Sequence, residues 1–175
     1  AAMVEIQADE YGDGIERDMH QTLFALTLKE LGLSAAYHAY LDQLPGPTLA
    51  TTNLVSFFGL HRRLRGALVG HLALFEMTSV EPMGRYSAAL RRHGLGSAAR
   101  LFYDVHVVAD AHHQSVAANA LAGGLARQDP ALAGDILFGA HAVTAVEKAF
   151  SGHLLGSWER GESSLLAAEP EAAAS

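Results

Sequence analysis

The segment FYDVHVVADAHHQ, residues 102–114, carries three candidate metal ligands, His106, Asp110 and His113. An α-helix turns about 100° per residue, so spacings of four and three place these side chains on one face within about two turns. Two imidazoles and one carboxylate are a ligand set that suits non-haem iron. The alternative is a hydrogen-bonded polar cluster or an exposed face, and His112 is expected to point outward or to support the ligands. The pattern favours a metal site.

A second candidate ligand is Glu76, which lies in the apolar segment HLALFEMTSV. A buried carboxylate is costly unless a cation compensates its charge, and a metal ion would do so. The alternative is a carboxylate that reaches solvent or pairs with an arginine. His71 precedes Glu76 by five residues, about 140° around a helix, so we expect His71 to be a core or supporting histidine.

The N-terminal segment DEYGDGIERDMHQTLF contains a third group of candidates. His20 precedes an amphipathic run and should face inward. Glu16 lies one helical turn before it and Asp13 two turns, whereas Glu10 would be off this face in an unbroken helix. Gly12 and Gly14 predict a break that could change the helical phase, so spacing alone leaves Glu10, Asp13 and Glu16 open.

The elements that must position these residues are all helical, because apolar residues recur at spacings of three and four and strand signals are nearly absent. We expect an all-α bundle over residues 1–162 and a frayed tail over 163–175, which is rich in Ala, Glu and Ser. The predicted helices cover residues 2–11, 15–31, 34–44, 49–80, 82–94, 97–121 and 130–160.

Composition removes several classes of function. The 175 residues include no cysteine, which excludes disulfides, thiolate metal sites and a Cys nucleophile. A formal net charge of −7 argues against nucleic-acid binding. No signal peptide or membrane span is visible, so we expect a cytoplasmic protein that does not bind membranes. The Glu-x-x-His pairs of ferritin-like di-iron bundles and the His-Glu-x-x-His motif are both absent.

Three features together resemble a known family: the His-x3-Asp-x2-His motif, Glu76 in an apolar helix and the DEYGDGIERDMHQTLF segment. The family is that of the haem-oxygenase-like di-iron oxidases, or iron-containing redox enzymes, and the resemblance covers residues 3–160. That family commonly separates its first Glu and His ligands by seven residues, and Glu10 and His20 are ten apart. A three-residue insertion at 12–14 would restore the register, so the resemblance assigns this role to Glu10, with Asp13 as the alternative. It implies two irons per chain with six ligands: Glu10, His20, Glu76, His106, Asp110 and His113.

The resemblance also implies O2-dependent oxidation of a small amino-acid-like, amine-like or fatty-acid-like substrate. Candidate pocket residues are Tyr11, Phe24, Phe58 and Tyr103, and a homodimer is compatible with the family. Family members usually have further helices upstream of the first ligand, and the sequence leaves open whether N-terminal helices are lacking here and whether the natural chain is longer. Two alternatives stay open: a mononuclear iron enzyme that uses His106, Asp110 and His113, and a cofactor-free ligand-binding protein of the same fold.

Overall fold

The computed structural model describes residues 1–167, and within them it contains α-helices, short 3-10 turns and no β-strand. The all-α prediction is confirmed. The α-helices are α1 (Ala2–Glu10), α2 (His20–Glu30), α3 (Gly46–Leu60), α4 (Arg65–Thr78), α5 (Val80–Arg92), α6 (Ser97–Ser115), α7 (Gly123–Gln128) and α8 (Ala133–Glu159). A π-helical segment, Val116–Ala122, joins α6 to α7.

Helix α4 lies at the centre of the bundle. It packs against α3, α6, α8 and the π-helical segment, while α6 also packs against α2 and α5. A small apolar cluster of Ile6, Ala73 and Ala117 joins α1, α4 and the π-helical segment. Each member lies one helical turn from a candidate ligand, since Glu10 follows Ile6 by four residues, Glu76 follows Ala73 by three and His113 precedes Ala117 by four. This cluster therefore fixes the backbones that carry the site.

The loop between α1 and α2 supplies the break that the glycines predict. Gly12, Asp13 and Gly14 all have positive φ, at 57°, 52° and 84°. A Cβ on Gly12 would lie 2.6 Å from the carbonyl carbon of Asp18, so only glycine fits there. The prediction of a helix from residue 15 is wrong at its start, because a 3-10 turn (Glu16–Asp18) and an extended Met19 precede α2. As a result His20 is the first residue of α2.

Three other helix predictions need correction. Residues 34–44 do not form an α-helix: the Ser34 hydroxyl accepts from the Ala36 amide, the Tyr40 hydroxyl accepts from the Ser34 amide, and His38 has φ of 62°. Such local side-chain bonds compete with helical ones. The predicted helix over 49–80 is divided by an extended His61, and the one over 97–121 changes to π-helical pitch at Val116.

The end of the described chain packs on the bundle. The amide of Leu166 donates to the carbonyl of Gln43 at 2.9 Å, and the His153 ring donates to the carbonyl of Ser164 at the same distance. The predicted frayed tail begins at 163, and residues 168–175 of it lie outside the described residues. Among the helices described, none combines the length and the apolar character that crossing a membrane requires.

Candidate metal centre

The first group of candidate ligands joins three helices. Glu10 is the last residue of α1, His20 begins α2, and His106 lies in the middle of α6. Their nearest ligand atoms all lie within 4.8 Å of one another. His20 Nδ1 is 2.9 Å and His106 Nε2 is 3.8 Å from Glu10 Oε1, so both imidazoles face the same carboxylate oxygen.

The second group comprises Glu76 of α4 with Asp110 and His113 of α6, and all three side chains are buried. His113 Nδ1 lies 3.3 Å from Glu76 Oε2 and 3.6 Å from Asp110 Oδ1. The structure thus brings together all six residues that the family resemblance assigns as ligands, and divides them into two groups of three. Asp13 and Glu16 belong to neither group.

The outer nitrogens of two histidines are hydrogen-bonded, which determines where their free lone pairs point. His106 Nδ1 donates to the carbonyl of Phe102 at 2.8 Å, so Nε2 is the nitrogen that faces Glu10. His113 Nε2 donates to Asp9 Oδ2 at 2.7 Å, so its Nδ1 faces Glu76 and Asp110. Such outer hydrogen bonds are typical of metal-binding histidines.

Asp9 is the functional candidate that the sequence reasoning misses. A signal for it exists, because Asp9 and Glu10 follow the buried Ile6 by three and four residues and so share its helix face. Nothing in the spacing alone distinguishes Asp9 from an ordinary solvated carboxylate. Its role depends on a contact with His113, which is 104 residues away in the chain.

Two buried nitrogens show that a cation fits this site. Within the described residues, His20 Nδ1 and His113 Nδ1 have no hydrogen-bond partner. The 2.9 Å approach of His20 Nδ1 to Glu10 lacks hydrogen-bond geometry, although the two groups still attract electrostatically. An imidazole nitrogen that faces carboxylate oxygens needs either a proton or a metal ion between them, and a metal ion would bind both kinds of donor. Nitrogen and oxygen donors in this combination suit iron.

The pKa values of three of these residues, Glu10, His20 and Glu76, are shifted from their ordinary values. Burial, reinforced by the neighbouring Asp110 charge, raises the pKa of Glu76 to about 7. Burial also opposes ionisation of Glu10, but contact with His20 and the charges of the histidines outweigh it and lower the pKa of Glu10. The contact with Glu10 raises the pKa of His20 against the effect of burial. Perturbed carboxylates and imidazoles of this kind cluster at functional sites.

The other histidines considered at this site lie outside both groups. His71 is a core residue, as expected: its ring packs against Phe58 and Phe75, and burial lowers its pKa. His112 points outward, and its Nε2 lies 2.9 Å from Glu5 Oε1.

A cleft of about 680 Å³ opens beside the first group and includes His20 and Asp9 in its wall. The four aromatic residues expected to line a substrate pocket are not among its lining residues. Phe58 lies in the core against Phe138, Phe24 packs on Phe102, Tyr103 lies beside Tyr86, and Tyr11 is exposed next to the cleft loop. Their role as substrate contacts stays a prediction.

An all-α bundle that holds two groups of carboxylates and imidazoles, with five of the six residues buried, defines a helical protein with a candidate metal centre. Comparison with known families agrees: a family model described as "Iron-containing redox enzyme" matches residues 1–148. The chain belongs to this family of iron-containing redox enzymes and has its haem-oxygenase-like fold, which confirms the resemblance. The family supports assignment as an oxidoreductase.

A curated relative is the nitrosourea synthase of Streptomyces achromogenes subsp. streptozoticus, which is 28% identical over 113 residues. The match covers 65% of this chain and 24% of that protein. The chain therefore matches about a quarter of the length of this relative.

Proposed function

We propose that this protein binds two iron ions and uses O2 to oxidise a small organic substrate. The observation that carries the proposal is the division of six candidate ligands into two adjoining groups, each with a buried imidazole nitrogen that has no hydrogen-bond partner among the described residues. Family membership supports iron as the metal. Bound iron would supply the electrons for reaction with O2.

The side chains around the site have separate tasks in this proposal. Glu10, His20 and His106 would hold one ion, while Glu76, Asp110 and His113 would hold the other. The carbonyl of Phe102 and the carboxylate of Asp9 keep two of the imidazoles in the tautomers that ligation needs. The apolar cluster beneath the site excludes water from its inner side.

The geometry disfavours the mononuclear alternative. His106 and His113 are seven residues apart, which separates their Cα atoms by about 10 Å along a helix. His106 accordingly faces Glu10 and His20, whereas Asp110 and His113 face Glu76. One ion held by His106, Asp110 and His113 would require these side chains to turn away from the partners that they face here.

Anaerobic titration with ferrous iron, followed by metal analysis after desalting, tests the number of ions. We expect about two irons per chain in the wild type and about one in Glu76→Ala and Asp110→Ala, because each variant removes a buried ligand of one group. Glu30→Ala is the matched control, since Glu30 is exposed at the end of α2 and lies in neither group. It should retain two irons.

A single tightly bound iron in the wild type, unchanged by Glu76→Ala, would overturn the dinuclear proposal and favour the mononuclear one. Absence of tight iron binding would favour a cofactor-free binding protein. O2 consumption after loading, measured with an oxygen electrode, tests the redox part. We expect uptake in proportion to bound iron, retained in His141→Ala, whose side chain is exposed, and lost in His113→Ala.

A further inference from the structure

The cleft beside the first ligand group, which we call the acidic cleft, has an unusual charge. Four aspartates line it: Asp9, Asp13, Asp18 and Asp104. No lysine or arginine is among its lining residues. Its volume of about 680 Å³ is within the range of small-molecule sites. A cleft with this lining attracts cations and repels anions.

The four carboxylates are compensated to different degrees. Asp9 accepts a hydrogen bond from His113, and Asp104 accepts from Ser87 and lies 3.4 Å from Arg100. Asp18 is 3.6 Å from Arg17, whose side chain is 82% exposed and contributes little screening. Among residues 1–167, no ion pair engages Asp13. Asp13 is therefore the strongest candidate for pairing with a ligand.

The backbone places Asp13 in the cleft wall. Asp13 lies between two glycines in the left-handed region, and the close approach of Gly12 to the Asp18–Met19 peptide folds the loop back on itself. This fold brings Asp13 and Asp18 to the same cleft, although they are five positions apart in the chain. Aspartate and asparagine tolerate this conformation better than other side chains with a Cβ.

The cleft also reaches the candidate metal centre. His20 lines the cleft and is only 5% exposed, and its Nδ1 lies 2.9 Å from Glu10 Oε1 of the first ligand group. The cleft thus extends from exposed carboxylates to a buried imidazole of the candidate metal centre. A molecule held at the aspartates would therefore lie beside that centre.

The remaining wall of the acidic cleft is aliphatic. Leu23 of α2 and a row on α6 supply it, together with Ile15 of the loop. On α6 the row consists of Leu101, Val105, Val108 and Ala109. Val108 is 75% exposed, which leaves apolar surface available to a ligand. The wall fits an unbranched hydrocarbon chain better than a polar molecule.

We propose that the acidic cleft binds a small molecule that carries a cationic nitrogen on an aliphatic chain, with Asp13 and Asp18 pairing with the cation. The statement that this molecule is the substrate rests on the proposed function. The statement that the cleft binds this molecule is independent of it. Among the substrate classes that the family resemblance implies, this selects amine-like molecules over fatty acids.

Three probes with the same chain length separate charge from hydrophobicity: hexylammonium, hexanol and hexanoate. The metal-free protein is titrated with each probe, and the methyl NMR signals of Leu101 and Val108 report binding in the cleft. We expect hexylammonium to bind most tightly, hexanol more weakly and hexanoate not measurably. The hexylammonium affinity should fall as salt increases, because exposed charges are screened.

Asp13→Asn tests the residue that carries the proposal, since asparagine keeps the shape and tolerates the left-handed backbone. We expect hexylammonium affinity to fall about two- to fivefold, the range for an exposed ion pair, with hexanol affinity unchanged. The matched control is Asp42→Asn, an exposed aspartate in the 3-10 turn Leu41–Gln43 outside the cleft. It should bind both probes as the wild type does.

Hexanoate binding equal to that of hexylammonium would overturn the proposal, and so would equal affinities in Asp13→Asn and Asp42→Asn. Because the titrations use metal-free protein, they are independent of the iron measurements. If the protein binds the amine but no iron, the cleft proposal is supported and the proposed function is wrong. If it binds two irons but no amine, the proposed function is supported and the cleft proposal is wrong.

Discussion

His113 is restrained on both sides of its imidazole ring. Its side chain is fully buried, with Nε2 bonded to Asp9 and Nδ1 facing Glu76 and Asp110. The ring can present only one unprotonated nitrogen to the site, and Asp9 determines which one it is. Asp9 is therefore a positioning residue that acts through His113.

Replacing Asp9 tests this role. Asp9→Ala should lower ferrous iron affinity about 10- to 100-fold, the usual cost of losing an outer partner of a metal-binding histidine. Asp9→Asn should recover much of the loss, because its amide oxygen can still accept the Nε2 proton. Affinity is measured by anaerobic competition with a chelator of known strength.

The matched control is Glu5→Ala. Glu5 is another carboxylate of α1 that contacts a histidine of α6, His112, but both side chains of this pair are exposed. We expect the iron affinity of Glu5→Ala to equal that of the wild type. An equal affinity in Asp9→Ala and Glu5→Ala would show that Asp9 does not position His113.

At the scale of elements, the site depends on how closely α4 and α8 approach. Cβ atoms at Gly70 and Gly139 would clash with the carbonyl oxygens of Ile136 and Ala67, so the two backbones touch where these glycines lie. This contact holds α4, and with it Glu76, against the rest of the bundle. A side chain there would push the helices apart.

Gly70→Ala should destabilise the fold by at least about 2 kcal/mol, because the added methyl meets backbone that cannot rotate away. Gly134→Ala is the control, since this α8 glycine has nothing within 4 Å of the position of its Cβ. It should be neutral or stabilise by about 0.5–1 kcal/mol, as alanine favours helix. Urea unfolding followed by circular dichroism measures both, and equal stabilities would contradict the close approach.

The elements also show why some features were predictable from sequence and others were not. The spacing of His106, Asp110 and His113 depends only on helical geometry, so their shared face could be predicted. The assignment of His106 to a different group from Asp110 depends on where α1 and α2 pack. The choice of Glu10 over Asp13 and Glu16 likewise depends on a loop with three positive φ values, which spacing arguments for a continuous helix do not describe.

At the scale of the whole molecule, the buried charge links folding to pH and to metal. Within the described residues, the ion-pair partners of Glu10, Glu76 and Asp110 are histidines, so no lysine or arginine neutralises this region. In the metal-free protein, therefore, either some of these groups are protonated or the repulsion between their charges destabilises the fold. A bound metal ion would relieve both costs and would bind best when its ligands are deprotonated.

The raised pKa of Glu76 determines whether the stability of the metal-free protein rises or falls with pH. Its pKa in the folded protein, about 7, lies above the ordinary value of 4.5, so the folded state binds a proton more tightly than the unfolded state. The contribution of Glu76 to stability is complete below pH 4.5 and is lost as pH rises through 7. The raised pKa of His20 acts in the same direction, whereas the lowered pKa of His71 opposes these two groups. Metal-free protein should thus lose stability between pH 5 and pH 8, at up to about 1.4 kcal/mol per pH unit for each group.

Urea unfolding of metal-free protein across this pH range tests the linkage. Glu76→Gln should reduce the slope of stability against pH, since glutamine does not titrate, whereas the exposed control Glu30→Gln should keep the wild-type slope. With saturating ferrous iron under anaerobic conditions, wild-type stability should instead rise with pH as ligands deprotonate. A metal-free slope that is identical in the wild type and Glu76→Gln would contradict this account, because the carboxylate of Glu76 would then titrate alike in the folded and unfolded chains.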